Sequence, residues 1–135
     1  MAVCPDYSSP SNLLLPGSGI NMGDGWETKR SRTKGHTDWA IVKLGKKIDF
    51  LHRIVIDTTD FKGNFPNYFK VLGLNSYSND DVLENDERWE SLVDETKGIP
   101  HKVLELDLDK KIEITHVMLV LIPDGGCKRI RIIGH

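Results

Sequence analysis

The chain has 135 residues, of which 39% are hydrophobic, and its 18 basic and 20 acidic side chains leave a formal charge of -2. That content can fill one core, and the near balance of charge provides no positive field to gather nucleic acid or anionic membrane, so neither partner is expected. No apolar run approaches the roughly 20 residues that span a bilayer, and Leu13-Leu14-Leu15 is too short for a signal-peptide core, so a soluble cytoplasmic protein is expected.

Residues 1–18, rich in Ser, Pro and Gly, should form an extended surface lead-in, leaving 19–135 as a single domain. The two cysteines, Cys4 and Cys127, have neither the number nor the spacing of a disulfide scaffold or a zinc site, and free thiols are expected. Residues 19–38 read GINMGDGWETKRSRTKGHTD and carry no apolar period. Long loops of this kind are often functional. This one gathers Asp24, Glu27, Arg30, Arg32, His36 and Asp38 around Trp26, a set that mixes acids, bases and carboxylate-binding groups. The same charges could simply be solvated, and Trp26 could plug the end of a sandwich. His36, two residues before Asp38, is an imidazole within reach of a carboxylate, the combination that moves protons near neutral pH.

From residue 38 onward the pattern becomes a series of short strands, at 38–44, 50–57, 68–74, 89–93, 102–108, 112–122 and 128–133. Gly45, Gly63-Asn64-Phe65-Pro66, Asn79-Asp80-Asp81, Gly98-Ile99-Pro100 and Pro123-Asp124-Gly125-Gly126 punctuate them. Residues 86–96 could also be written as a helix around Trp89, Leu92 and Val93, with strand slightly preferred. Alternation in 112–122 sets Ile112, Ile114, His116, Met118, Val120 and Ile122 against Val117, Leu119 and Leu121, so its second half should be buried on both faces in a central strand. His116, among those aliphatics, reads as a satisfied core or edge histidine. Seven strands at this spacing predict an all-β sandwich or barrel.

Two further polar clusters stand at predicted strand ends. In DTTDFKGNFP, Asp57, Thr58, Asp60, Lys62 and Asn64 could tie down a turn, contact a ligand, or do both. In PDGGCKRIRIIGH, Asp124 lies in a tight reversal, and Arg129 and Arg131 alternate with Ile130 and Ile132. Those guanidiniums could hold a carboxylate bidentately or cover an outer sheet face. No nucleophile elbow, phosphate loop, dinucleotide fingerprint or zincin motif is present.

Four blocks in order, NLLLPGSGINMGDGWETKRSR, GHTDWAIVKLG, IDTTDFKGNFP and IPDGGCKRIRIIGH, resemble the allantoicase family, most closely the second of its two repeats. The resemblance implies a jelly-roll β-sandwich of the galactose-binding-like kind. It also implies a hydrolase that converts allantoate and water to ureidoglycolate and urea in purine catabolism. Such chemistry needs a cation for the carboxylate, an acid for the departing nitrogen and a base for water. Motif positions assign Arg30 or Arg32 with Arg129 to the carboxylate, and His36 with Asp38 to proton transfer. Asp24 and Glu27 would hydrogen-bond ureido nitrogens, with Glu27 also a candidate catalytic carboxylate, while Trp26, Asp57, Lys62, Asn64 and Asp124 complete the substrate-binding set.

Where the family pattern often reads DTAHFKGNFP, this chain has Asp60 in place of the histidine. The family also carries two repeats and this chain one, so exposed apolar surface and a homo-oligomer are expected. A non-catalytic small-ligand-binding or oligomerisation module derived from the same repeat is the alternative. No cofactor is required by the sequence; His36, Asp38, Asp57 and Asp60 could ligate a divalent metal, but no spacing identifies an ion.

Overall fold

A computed structural model of the chain describes residues 2–3, 10–17, 19, 22–29, 35–77 and 81–135. Its strands, in chain order, are β1 (Ala2–Val3), β2 (Trp26–Glu27), β3 (Asp38–Asp57), β4 (Tyr68–Leu74), β5 (Glu90–Lys97), β6 (Val103–Ile122), β7 (Gly126–Cys127) and β8 (Arg129–Gly134). Short 3-10 turns cover Pro10–Leu14 and Met22–Asp24, and there is no α-helix among the described residues. Pairing is antiparallel throughout, in the order β1-β3-β6-β4-β5 with β8 also on β3, and with β2 and β7 as a separate pair.

Two of the predicted breaks are bends instead. Segments 38–44 and 50–57 are one strand, β3, and 102–108 and 112–122 are one strand, β6; the two pair along most of their length, with register shifts between Lys43 and Ile48, Ile48 and Phe50, and Leu51 and Arg53. Gly45 reads as a turn, and the polar residues 109–111 as the gap between two strands. Both are exposed corners inside a single strand: Lys110 and Lys111 stay opposite Leu51 and Phe50, Asp109 has a left-handed φ of 44°, and the register shifts between Lys43 and Ile48, as at a bulge. The bend also changes the facing of β6. Ile112 and Ile114 join Val117, Leu119 and Leu121 in the main core, while Met118 and Val120 pack on the other side with Ile41, Trp39, Leu72, Trp89 and Ile122. The second half of β6 is thus buried on both faces, between β3 and β4. Segment 89–93 resolves as strand, β5, running on to Lys97.

The main core joins both halves of the bent ribbon: Ala40 and Val117 from one side meet Leu51, Ile54, Ile56 and Ile130 from the other, with Phe69, Val71, Leu92 and Trp26. Because β3 and β6 fold over together, the paired ends Asp38 with Leu121 and Asp57 with Val103 come to one end of the sandwich. The lead-in is more than surface. Leu13 is fully buried in the core, and Arg131 donates to the carbonyls of Leu13 and Leu15, which pins the 3-10 turn against β8. His116 is 6% exposed beside the Thr115 hydroxyl at 2.7 Å, and burial lowers its pKa.

Candidate functional site

The polar loop is tied to the Pro123–Gly126 reversal at the ribbon's open end. β2 pairs with β7, Trp26 opposite Cys127 and Glu27 opposite Gly126. The Thr28 amide donates to Gly125 O at 2.9 Å, and the Thr28 hydroxyl both donates to Gly125 O and accepts from Gly125 N. Only glycine fits at 126, since an added Cβ would stand 1.9 Å from a ring atom of the fully buried Phe61.

At the centre lies Lys128, whose side chain has no exposed surface. Its ammonium pairs with the Asp24 carboxylate and donates to Asp60 Oδ2 at 2.8 Å. Burial favours the neutral amine, yet the hydrogen bonds and charges of Asp24 and Asp60 outweigh it and raise the pKa. Asp60 has a left-handed backbone, φ 73°, and its amide donates to His101 Nδ1 at 2.9 Å. Arg129, 3% exposed, stands 3.7 Å from Asp24 Oδ1, so among the described residues two cations face two carboxylates here.

The predicted residues divide into several groups. Arg129 directs its guanidinium to the carbonyls of Gly17, Asp24 and Lys128, at 3.2, 2.5 and 2.8 Å, which gives it a clamp's geometry across the loop. Asp57 is buried and accepts from the Thr59 amide at 2.8 Å, while the Thr58 hydroxyl donates to Ile99 O and Lys102 O, so this cluster includes a turn lock. Trp26 is fully buried in the main core. Glu27 and Asn64 are brought together, the amide of Asn64 donating to Glu27 Oε2. Lys62 is exposed and Asp124 half-buried. Arg30 and Arg32 lie outside the described residues.

His36 and Asp38 do meet: Nε2 lies 2.7 Å from Oδ1, with the His36 side chain 31% and the Asp38 side chain 2% exposed. Asp38 shares the face of β3 with Ala40 and so points between the sheets. Its second oxygen, Oδ2, is buried without a hydrogen-bond partner among the described residues. A carboxylate oxygen in that condition is costly unless a donor reaches it. Among the described residues no three of His, Cys, Asp and Glu converge as a metal site, so His36, Asp38, Asp57 and Asp60 do not form one there. Cys127 is a free, buried thiol, pushed up to about 12 chiefly by burial, and donates to Asp57 O and Arg129 O. Cys4 lies outside the described residues.

Lys128 is the group that the sequence reading passed over. A readable signal existed: it has the parity of Ile130 and Ile132, the apolar side of that segment, so a lysine there must be buried with partners or stand at the strand's mouth.

The family model described as the allantoicase repeat matches residues 4–135. Allantoicase from Saccharomyces cerevisiae is 46% identical over 129 residues, covering 96% of this chain and 38% of the relative. Allantoicase from Neurospora crassa is 42% identical over 134 residues, covering 96% of this chain and 37% of the relative. The chain therefore spans less than half the length of these relatives. The crystal structure of the Saccharomyces cerevisiae allantoicase superposes with a TM-score of 0.90 at 43% identity, covering all of this chain and 39% of that one. A family 32 carbohydrate-binding module from Streptococcus pneumoniae EndoD superposes at 0.62 with 14% identity, covering 95% of this chain and 86% of that one, a likeness of fold alone. The sandwich is a jelly roll of the galactose-binding-like kind.

Proposed function

This chain belongs to the allantoicase family, and on that premise we propose that it serves the hydrolysis of allantoate to ureidoglycolate and urea in purine catabolism. The observation that carries the reading is the His36–Asp38 pair, 2.7 Å apart, with Asp38 buried and Oδ2 open to a donor. His36 is assigned to proton transfer at the scissile C–N bond. Asp38 fixes its ring and offers Oδ2 to a ureido N–H. Glu27, placed by Asn64, is the second acceptor for ureido nitrogen. Since Arg129 is directed onto backbone carbonyls, the substrate carboxylate falls to Arg30 or Arg32.

A non-catalytic small-ligand module is the second reading, favoured by the protein acceptors that Lys128 and Arg129 already hold. Urea release from allantoate separates the two. It is to be measured on the chain alone and on the chain extended by a second allantoicase repeat. Urea from either form, with kcat/KM lowered tenfold or more by Asp38→Asn, is expected. Release by neither form would leave the binding module.

We also infer self-association. Leu14 and Leu15 are 48% and 40% exposed, and Leu14 borders an open groove lined by Val42, Leu44, Ile130 and Ile132. Sedimentation at micromolar concentration should give a homo-oligomer, and a clean monomer would remove the inference.

A further inference from the structure

Five residues back along β3 from Asp57, the chain places a second group of ionisable side chains that the proposed hydrolysis does not use. His52 Nε2 faces His135 Nδ1 at 2.9 Å, and the other nitrogen of His52, Nδ1, faces Asp109 Oδ1 at 3.5 Å. His135 is held by strand-like pairing: its amide donates to Phe50 O at 3.0 Å, and its carbonyl accepts from Asp49 N and Phe50 N at 2.7 and 2.9 Å. The Phe50 ring stacks on His135, with centroids 5.6 Å apart and planes at 14°, and leans on His52 at 4.7 Å. Two imidazoles are thereby fixed with one nitrogen of each turned to the other.

From this geometry we propose that His52 and His135 form a two-histidine site for a tetragonal divalent cation, copper(II) or nickel(II). At a metal–nitrogen length of about 2.0–2.1 Å, two ligands at a right angle stand about 2.9 Å apart, whereas a tetrahedral zinc angle requires about 3.4 Å. In the chain itself the two nitrogens share a hydrogen bond at 2.9 Å, so they already stand as close as the right angle requires and a cation would replace the shared proton. His52 Nε2 and His135 Nδ1 are the ligands, and water fills the remaining positions. Asp109 Oδ1, 3.5 Å from His52 Nδ1, is placed to take the Nδ1–H and favour the tautomer that presents Nε2, as carboxylates commonly do behind metal-bound histidine. Protons compete for the same lone pairs, so affinity falls on acidification. The groups are open enough to be reached, with the His52 side chain 42% and the Asp109 side chain 71% exposed.

The test is titration of the purified chain with copper(II) in glycine buffer, which removes weakly held ion, read by electron spin-echo modulation for the number of bound imidazoles. One equivalent with two imidazoles is expected. His52→Gln and His135→Gln should each drop the count to one and weaken binding at least tenfold, while His101→Gln leaves both unchanged. Asp109→Asn should keep two imidazoles and weaken binding about tenfold. Because these side chains are exposed, near-UV circular dichroism should stay unaltered in every variant. Failure of the wild-type chain to hold an equivalent against glycine, or unchanged count and affinity in His52→Gln and His135→Gln, would overturn the proposal.

Discussion

Lys128→Met is expected to destabilise the fold by about 3 kcal/mol, the low end of the cost of removing one partner from a buried ion pair. Methionine fills nearly the same volume, so the loss reports charge more than packing. Asp24 and Asp60 are 28% and 29% exposed at their side chains, and water reaching them keeps the cost from the upper end of that range. For a domain of this size the melting temperature should fall by roughly 10 °C. Urea unfolding should show a lower midpoint at unchanged slope. Asp60→Asn should cost less, since Lys128 keeps Asp24, and Lys128→Met with Asp60→Asn should cost less than the two single losses added. A loss under about 1 kcal/mol, the scale of exposed pairs, would show that the ammonium is solvated and the cluster is not a structural centre.

The pH dependence has a definite sign. The folded-state pKa of Lys128 lies above its ordinary value of 10.5, so the folded chain binds the proton more tightly than the unfolded one. The stabilisation is complete below the unfolded value, throughout the neutral range, and is lost as alkaline pH rises through the folded value.

Trp26→Ala should be costlier still, about 4 kcal/mol, the middle of the range for removing a large aromatic from a core. Trp26 is fully buried, sits in the same cluster as Leu13, Cys127 and Ile130, and lies opposite Cys127 in the β2–β7 pair. Trp26→Phe should keep most of the packing and lose far less. If Trp26 were instead a platform for ligand, alanine would weaken ligand binding and leave the urea midpoint near that of the parent. That pattern would move Trp26 back to the substrate-binding set.

The strands were legible where alternation was clean. Tyr68–Leu74 has the predicted limits, and the double-sided burial of the second half of β6 follows from its unbroken run of apolar residues. Corners were misread because a bulge in paired backbone and a reversal use the same polar and glycine residues; only the partner strand distinguishes them. Leu13 was hidden for a different reason. One buried leucine on a 3-10 turn has no period to reveal it. At the site, the His36–Asp38 pair was legible because its members are two residues apart. Lys128 pairs with residues 68 and 104 positions away, Asp60 and Asp24, and such partners exist only once the sandwich closes.

That separation has a kinetic consequence. Thr28 meets Gly125 across 97 residues and Arg129 meets Gly17 across 112, so the open end is assembled from joins between opposite ends of the chain. Loop-closure entropy makes such joins slow to form, and the bent β3–β6 ribbon must be in register before they can. During synthesis, the loop carrying Asp24 and His36 is made before the turn that will hold it. Ligand competence should therefore appear as a late, single event after the last strand docks, and a ligand specific to this end would report completed folding.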